Sequence, residues 1–422
     1  MAAGARMHEL MAELFPICRS ITGDGVRETL RIVGERVPLE VREVPSGTEV
    51  LDWTVPEEWN IDDAYVALDG TRLVDFRDSN LHVVSYSEPV QARMALDELR
   101  PHLHTHAERS DWIPYRTSYY TRAWGFCLAR DTLDGLEGGE YEVCVDSRLE
   151  PGSLTYGEVV VPGEHDEEFL VTTHVCHPSL ANDNLSGIAL LAELASALAS
   201  RRNRHTYRLL FIPGTIGSLT WLATREDVLP RIVGGLVVAC VGDAAPLTYK
   251  RTRRSEARID RAAEYVLAAR EGARVTDFVP WGWDERQFNS PGFDLQVGCL
   301  SRSREGEFPE YHSSADDLDL VRPERLEDAL DAVLEILDAF DADRRYVNLS
   351  PRGEPQLGRR GLYPQTGGAL AQDEQLAMLW VLNQSDGEHS LLDVASRSGL
   401  SLDVVRTAAD RLHDAQLLDE AP

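Results

Sequence analysis

Phe169-Leu-Val-Thr-Thr-His174-Val-Cys176-His177-Pro-Ser-Leu-Ala-Asn-Asp183-Asn184-Leu-Ser186-Gly187 decides the fold. Its first residues are apolar and β-branched, the composition of a buried strand. Pro178 and Ser179 turn the chain, and Ile188-Ala-Leu-Leu-Ala-Glu-Leu-Ala-Ser-Ala-Leu-Ala follows as a strong helix. Two histidines and an aspartate therefore leave the carboxyl end of a strand, where open α/β sheets place their sites. Imidazole nitrogen and carboxylate oxygen are the ligands of a catalytic Zn²⁺ with one position open for water. Helix capping by Ser186 or Asn184 explains Asn-Asp-Asn by itself, but not two histidines beside it.

Outward from this stretch, strands alternate with helices. Leu154–Val161, Glu168–Thr173, Tyr207–Pro213 and Ile232–Val241 read as strands, with helices over 187–200, 216–223, 260–268 and 324–340. The pattern predicts an α/β protein with a mostly parallel sheet flanked by helices. Between 53 and 150 the period changes. Short alternating runs such as Ala64-Tyr-Val-Ala-Leu and Tyr141-Glu-Val-Cys-Val, separated by turn residues, predict a β-rich insertion. The core is thus expected over 1–52 and 151–345, a linker or arm over 346–370, and a helix-turn-helix of winged-helix type over 371–422. In that last segment Gly399-Leu-Ser401 makes the turn and Ser401 caps the second helix. The turn from Pro16 to Gly25 reads as an ordinary helix–helix connection. His102-x-His104-x-His106 reads as a solvated loop, and Tyr115–Trp124 as core or as the wall of a cleft.

Composition bounds function. The net charge is −29, and 371–422 holds ten Asp/Glu against three Arg. That opposes nucleic-acid binding, so the winged helix is expected to be structural or a contact in a homo-oligomer. No apolar run approaches the ~18–20 residues of a membrane span, and the N-terminus lacks a signal-peptide core. Six scattered cysteines without CxxC spacing predict reduced thiols and a cytoplasmic protein.

Asp183-Asn184-Leu-Ser186-Gly187 resembles the Asp-Asn-x-Ser-Gly signature of co-catalytic zinc aminopeptidases, in which the Asp bridges two metals. His174 stands in the register of that family's first metal histidine, though Cys176 replaces the Asp of its His-x-Asp; His177 is the alternative ligand. Gly242-Asp243 is similar to the strand-end Asp of the second metal, with a β-turn Asp as the competing account. Glu310-Tyr311-His312-Ser-Ser-Ala-Asp316-Asp317 resembles the family's Tyr-His-Thr/Ser-x-x-Asp, which makes His312 a ligand and the following Asp residues its orienters. Trp281-Gly-Trp-Asp284-Glu285-Arg286-Gln-Phe288 resembles the stretch before the family's last core strand, without its His. The layout is similar to the aminopeptidase-like proteins of bacterial polysaccharide and natural-product gene clusters.

One departure bears on chemistry. Where the family ends a strand in a glutamate pair, general base and metal ligand, this chain reads Pro213-Gly214-Thr215. The resemblance implies one zinc or two, held by His174 or His177, Asp183, His312 and Asp243, and a zinc-activated water that attacks an amide of a small peptide, aminoacyl or N-acyl metabolite. Glu285 and Glu310 are the candidates for the missing acid–base group. Asp284, Arg286, Arg302, Arg304 and Tyr311 are candidates for substrate binding, the arginines through the guanidinium fork. A non-enzymatic binding protein on a degenerate peptidase fold is the alternative, and a metabolite-sensing regulator is the third expectation.

Overall fold

The structure, a computed structural model, describes residues 2–362 and 369–421, and only the helical backbone of 369–372. It forms two compact units, Met1–Ser255 with Gly272–Asp331 and Glu256–Glu271 with Ala332–Pro422.

The first unit is built on an eight-stranded sheet. From edge to edge its strands are Glu40–Pro45, Ser153–Val161, His205–Ile212, His165–His174, Ile232–Val238, Val297–Ser301, Thr248–Lys250 and Arg274–Thr276. The four central strands, His205–Ile212 to Val297–Ser301, are parallel, and antiparallel pairing begins on either side. Leu170, Val171, Leu209, Phe211, Leu236 and Val238 are fully buried, as expected of strands covered on both faces. Each such side chain contributes roughly 1.5–3 kcal/mol, so the middle of this sheet is the rigid platform of the unit.

Helix Ser186–Ala199 is made of strong helix formers and packs on strand His165–His174 and on the N-terminal helix Ala3–Leu14. Its start touches the strand end so closely that a Cβ on Gly187 would stand 2.4 Å from Thr173 Oγ1. Only glycine fits there, which ties Gly187 to the close return of the chain.

Between 53 and 150 the chain forms a four-stranded antiparallel sheet in the order Thr71–Asp75, Glu58–Leu68, Glu140–Glu150, Val90–Ala95. Its buried Trp59, Val66 and Val143 share one apolar cluster with Leu170 and Ile212 of the α/β sheet and with Trp221 of helix Ile216–Thr224. The His-x-His-x-His run holds no metal-type cluster. His102 Nδ1 meets the Trp124 carbonyl while its ring stacks on Trp124, and His106 accepts backbone N–H bonds from Glu108 and Arg109.

In the second unit, helices Ala369–Gln384, Leu391–Ser398 and Leu402–Asp414 accompany a three-stranded sheet. Ser390 and Asp393 cap the second of these helices reciprocally, Gly399 ends it with φ of 72°, and Ser401 caps the next. Strand Arg345–Asn348 is the centre of the sheet, between Asp386–Ser390 and Leu418–Glu420. The first residues of the expected arm are therefore a paired strand, while Pro364, Gly367 and Gly368 lie outside the described residues. No described helix is long and apolar enough to cross a membrane. All six cysteines are free.

Candidate functional site

The site lies at the carboxyl end of strand His165–His174. His174 is its last residue and is buried; the chain then passes His177 and returns as the loop Ala181–Leu185. Asp316 holds that loop from below. Its carboxylate accepts the backbone N–H of Asn182 at 2.6 Å and of Asp183 at 2.9 Å. Asn184 spends its amide on the Thr173 hydroxyl and the His174 carbonyl, and accepts the Cys240 N–H. Among the described residues, every side-chain polar atom of the Asp-Asn-x-Ser-Gly stretch thus has a hydrogen-bond partner except one carboxylate oxygen.

That oxygen is Asp183 Oδ2. His174 Nε2 lies 2.8 Å from Oδ1, His312 Nε2 lies 3.1 Å from Oδ2, and His177 Nε2 lies 4.0 Å from Oδ2. Ligand atoms of His174, His177 and Asp183 fall within 4.8 Å of one another. Asp183 Oδ2 and His312 Nε2 are buried atoms with no hydrogen-bond partner. Burial pushes His177 down to about 3 against the pull of Asp183, so it is a neutral imidazole at pH 7 with a lone pair to give. Burial opposes ionisation of Asp183, but His177, His174 and His312 outweigh it and hold the carboxyl well below the usual range. An anion sealed among nitrogen donors, with one oxygen unpaired, fits a cation. The donor set of imidazoles and one carboxylate fits zinc.

Further contacts hold the ligands in place. Tyr311 stacks on the His312 ring at 3.9 Å and 12°, and Tyr115 meets His312 and His177 edge-on. Arg19, fully buried, donates from Nε to the His177 carbonyl and from Nη1 to the Leu14 carbonyl. Ser179, Thr215 and His312 have positive φ of 36°, 61° and 55°. Such backbone is costly for a β-branched residue like Thr215, and it collects where a site demands it. Beside the cluster is a cavity of about 200 Å³, walled by Ile21, Tyr115, Tyr119 and Trp283 and floored by Gly214 and Thr215.

Several expected residues have other duties. Asp243 lies outside the cluster, because its carboxylate accepts Asn182 Nδ2 at 2.8 Å, the Ala245 N–H at 2.7 Å and the Ser303 N–H at 3.3 Å. These are the bonds that a turn aspartate makes. Glu285 is buried away from the cavity and paired with Lys250, the sole lysine. Glu310 does not line the cavity either. Arg302 is buried with its donors on the carbonyls of Val241, Ala245 and Arg325 and on Asp328, so it ties strand ends together and cannot grip a substrate. Arg304 pairs with Glu307 on the surface. Arg286 stays near the cavity through Thr215 Oγ1 at 3.3 Å, and Asp284 lines it. Cys176, in place of the family's Asp, is a thiol pushed up to about 12 by burial, and it accepts the Gly214 N–H.

Sequence reasoning left out Arg19, whose partner His177 is 158 residues away. No local pattern carries that contact, although a polar, glycine-rich turn between apolar helices was its one signal. Tyr115 and Tyr119 sit in the aromatic segment left open between core and cleft wall, and they wall the cleft.

Comparison with known proteins agrees with this architecture. Residues 8–343 match the family described as a domain of unknown function, DUF4910, and 344–420 match a winged helix-turn-helix. A Clostridium acetobutylicum protein, provisionally named for polysaccharide biosynthesis with an aminopeptidase-like domain, is 51% identical over 418 residues, 98% of this chain and 96% of its own. A crystal structure of a provisionally named peptidase from Clostridium acetobutylicum is 50% identical, with TM-score 0.91 over 99% of this chain and 96% of that one. The zinc aminopeptidase BSAP of Bacillus subtilis superposes with TM-score 0.58 at 14% identity, over 79% of this chain and 94% of its own, which shows the shared fold. A chain matched in this way from end to end belongs to the DUF4910 family, an aminopeptidase-like α/β fold followed by a winged helix.

Proposed function

We propose that this protein is a zinc-dependent hydrolase of an amide bond in a small peptide or an aminoacyl or N-acyl metabolite. The observation that carries this is the unpaired Asp183 Oδ2, buried 3.1 Å from the equally unpaired Nε2 of His312 and ringed by the two other imidazoles. A bare carboxylate in such surroundings costs many kcal/mol by solvation alone, and no Lys or Arg ion-pairs with it among the described residues.

Asp183 and His312 with either His174 or His177 would hold one Zn²⁺ and leave a position for water. Asp243 holds three hydrogen bonds, and the strand-end glutamates are replaced by Gly214 and Thr215, which favours one ion over two. Bound zinc supplies Lewis acidity toward a carbonyl oxygen and brings the pKa of water to ~7. The chain's own residues do the rest. Asp316 sets the Asp183 loop, Tyr311 and Tyr115 set the rings of His312 and His177, and Arg19 anchors the His177 backbone. Ile21, Tyr115, Tyr119 and Trp283 wall the cavity, whose volume of about 200 Å³ admits a small acyl or aminoacyl group. The name of the Clostridium relative supports a sugar-linked amide as the natural target.

A binding protein on a degenerate peptidase fold is the second reading, favoured by Gly214-Thr215 in place of the glutamate pair. Metal content separates the two. About one zinc per chain, lost in both Asp183→Ala and His312→Ala, with cleavage of aminoacyl or N-acyl amides by the wild type, supports the hydrolase. No metal after reconstitution overturns it.

A further inference from the structure

A peptidase-like site without its glutamate pair lacks a group to take the proton from water and deliver it to the leaving amine. The geometry points to Asp284 as that proton-transfer residue, a carboxylate from a different element standing over the loop where the pair is missing. This rests on the hydrolase reading above.

Asp284 is buried and lines the cavity that His174, His177 and His312 also line. Its Oδ1 accepts the Thr215 N–H at 2.7 Å and the Ser218 hydroxyl at 2.9 Å. Both donors belong to the segment that follows strand His205–Ile212, so the carboxylate is aimed from the strand end where the pair would stand. The left-handed backbone of Thr215, φ 61°, presents the N–H in that direction. With Oδ1 doubly held, Oδ2 accepts no hydrogen bond among the described residues, and it is not among the atoms sealed from solvent.

The cavity offers no competitor. Among the described residues, Asp284 is the one carboxylate lining it. Tyr115 and Tyr119 hydroxyls bond to each other at 3.0 Å, and the Cys176 thiol is held neutral by burial. Glu285 is occupied by Lys250. Two fixed donors on one oxygen and a free second oxygen on a residue that lines the cavity are what a positioned base requires.

The step balances without another reactant. As water oxygen bonds to the amide carbon, one water proton passes to Asp284 Oδ2. As the C–N bond breaks, that proton passes to the amine nitrogen and Asp284 returns to the carboxylate. One water is consumed, and an acid and an amine leave.

The test pairs Asp284→Asn with Ser218→Ala in the full-length, zinc-loaded protein. Asparagine keeps the Oδ1 acceptor but cannot take a proton. We expect zinc content and thermal melting to match wild type in both. For the best aminoacyl p-nitroanilide found for the wild type, kcat falls about 10²–10⁴-fold in Asp284→Asn with KM little changed, and about 10-fold in Ser218→Ala. A readout that needs no turnover is calorimetric binding of acetohydroxamic acid, which must give up its N–O–H proton on binding. Its affinity falls about 10–100-fold in Asp284→Asn. Zinc retained with unchanged hydroxamate affinity and unchanged kcat overturns the role of Asp284 and leaves the hydrolase reading standing. A wild type that takes up no zinc overturns both.

Discussion

Asp183 and Asp243 stand at neighbouring strand ends of one sheet, 0% and 5% exposed. Around Asp243 the fold has arranged two backbone N–H groups and the Asn182 amide, so its negative charge is dispersed over three donors. Around Asp183 it has arranged three imidazoles and left one carboxylate oxygen unbonded. The first environment is complete with the chain alone. The second is complete only with a cation, which is how a structural aspartate and a ligand aspartate differ when sequence and burial do not distinguish them.

Asparagine at each position should therefore do opposite things. Asp183→Asn is expected to lower zinc affinity by more than about 100-fold, measured by chelator competition, and to abolish activity. In chelator-treated protein the same change lowers the melting temperature at pH 7, because the imidazoles that hold Asp183 below the usual carboxylate range favour its charged form in the folded state. Asp243→Asn keeps zinc and sets its NH₂ against the Asn182 amide or a backbone N–H. It costs about 1–3 kcal/mol with or without metal. A zinc affinity that survives Asp183→Asn, or one that falls in Asp243→Asn, breaks the contrast.

Between these extremes lies Asp316, which accepts the N–H groups of Asn182 and Asp183 and never faces the metal side. Asp316→Ala strands two buried donors and frees the loop that carries Asp183. Zinc affinity is expected to drop about 10–100-fold, with a stability cost of about 1–3 kcal/mol, while the ligands themselves remain. If affinity is unchanged, the loop is held by its helix alone.

The comparison also explains what the sequence made legible. The apolar strand, the Asp-Asn-x-Ser-Gly turn and the alanine-leucine helix are each local, and local chemistry is readable in one pass. So was Ser401, since a cap bonds three residues on. Whether a strand-end Asp is a ligand is decided by groups far away in the chain, and Asp243 looked the same either way. Glu285 and Asp284 differ by one position at the start of a four-residue helix, and that rotation points one at Lys250 and the other at the cavity. Arg302 misled for the same reason. Its charge suggested a substrate anion, but its depth in the sheet end turned its donors to three carbonyls and to Asp328.

A third kind of acid calibrates the other two. Glu58 has its cation in the chain: Arg27 donates to both carboxylate oxygens at 2.7 and 2.5 Å, and the Ser153 N–H adds a third bond at 2.9 Å. The Arg27 bonds come first among the causes that hold its carboxyl at about 2, below the usual range. A carboxyl depressed in the folded state stabilises above its unfolded pKa, near 4.5, and that stabilisation is lost as pH falls toward 2. Glu58→Gln should therefore melt lower than wild type by roughly 1–3 °C at pH 7, with the gap closing between pH 4.5 and 2. Zinc content should not move at any pH where wild type retains it. A gap that persists at pH 2 would mean that Glu58 acts through packing between helix Asp24–Gly34 and the sheet, and that its ion pair, unlike the cation expected at Asp183, adds little.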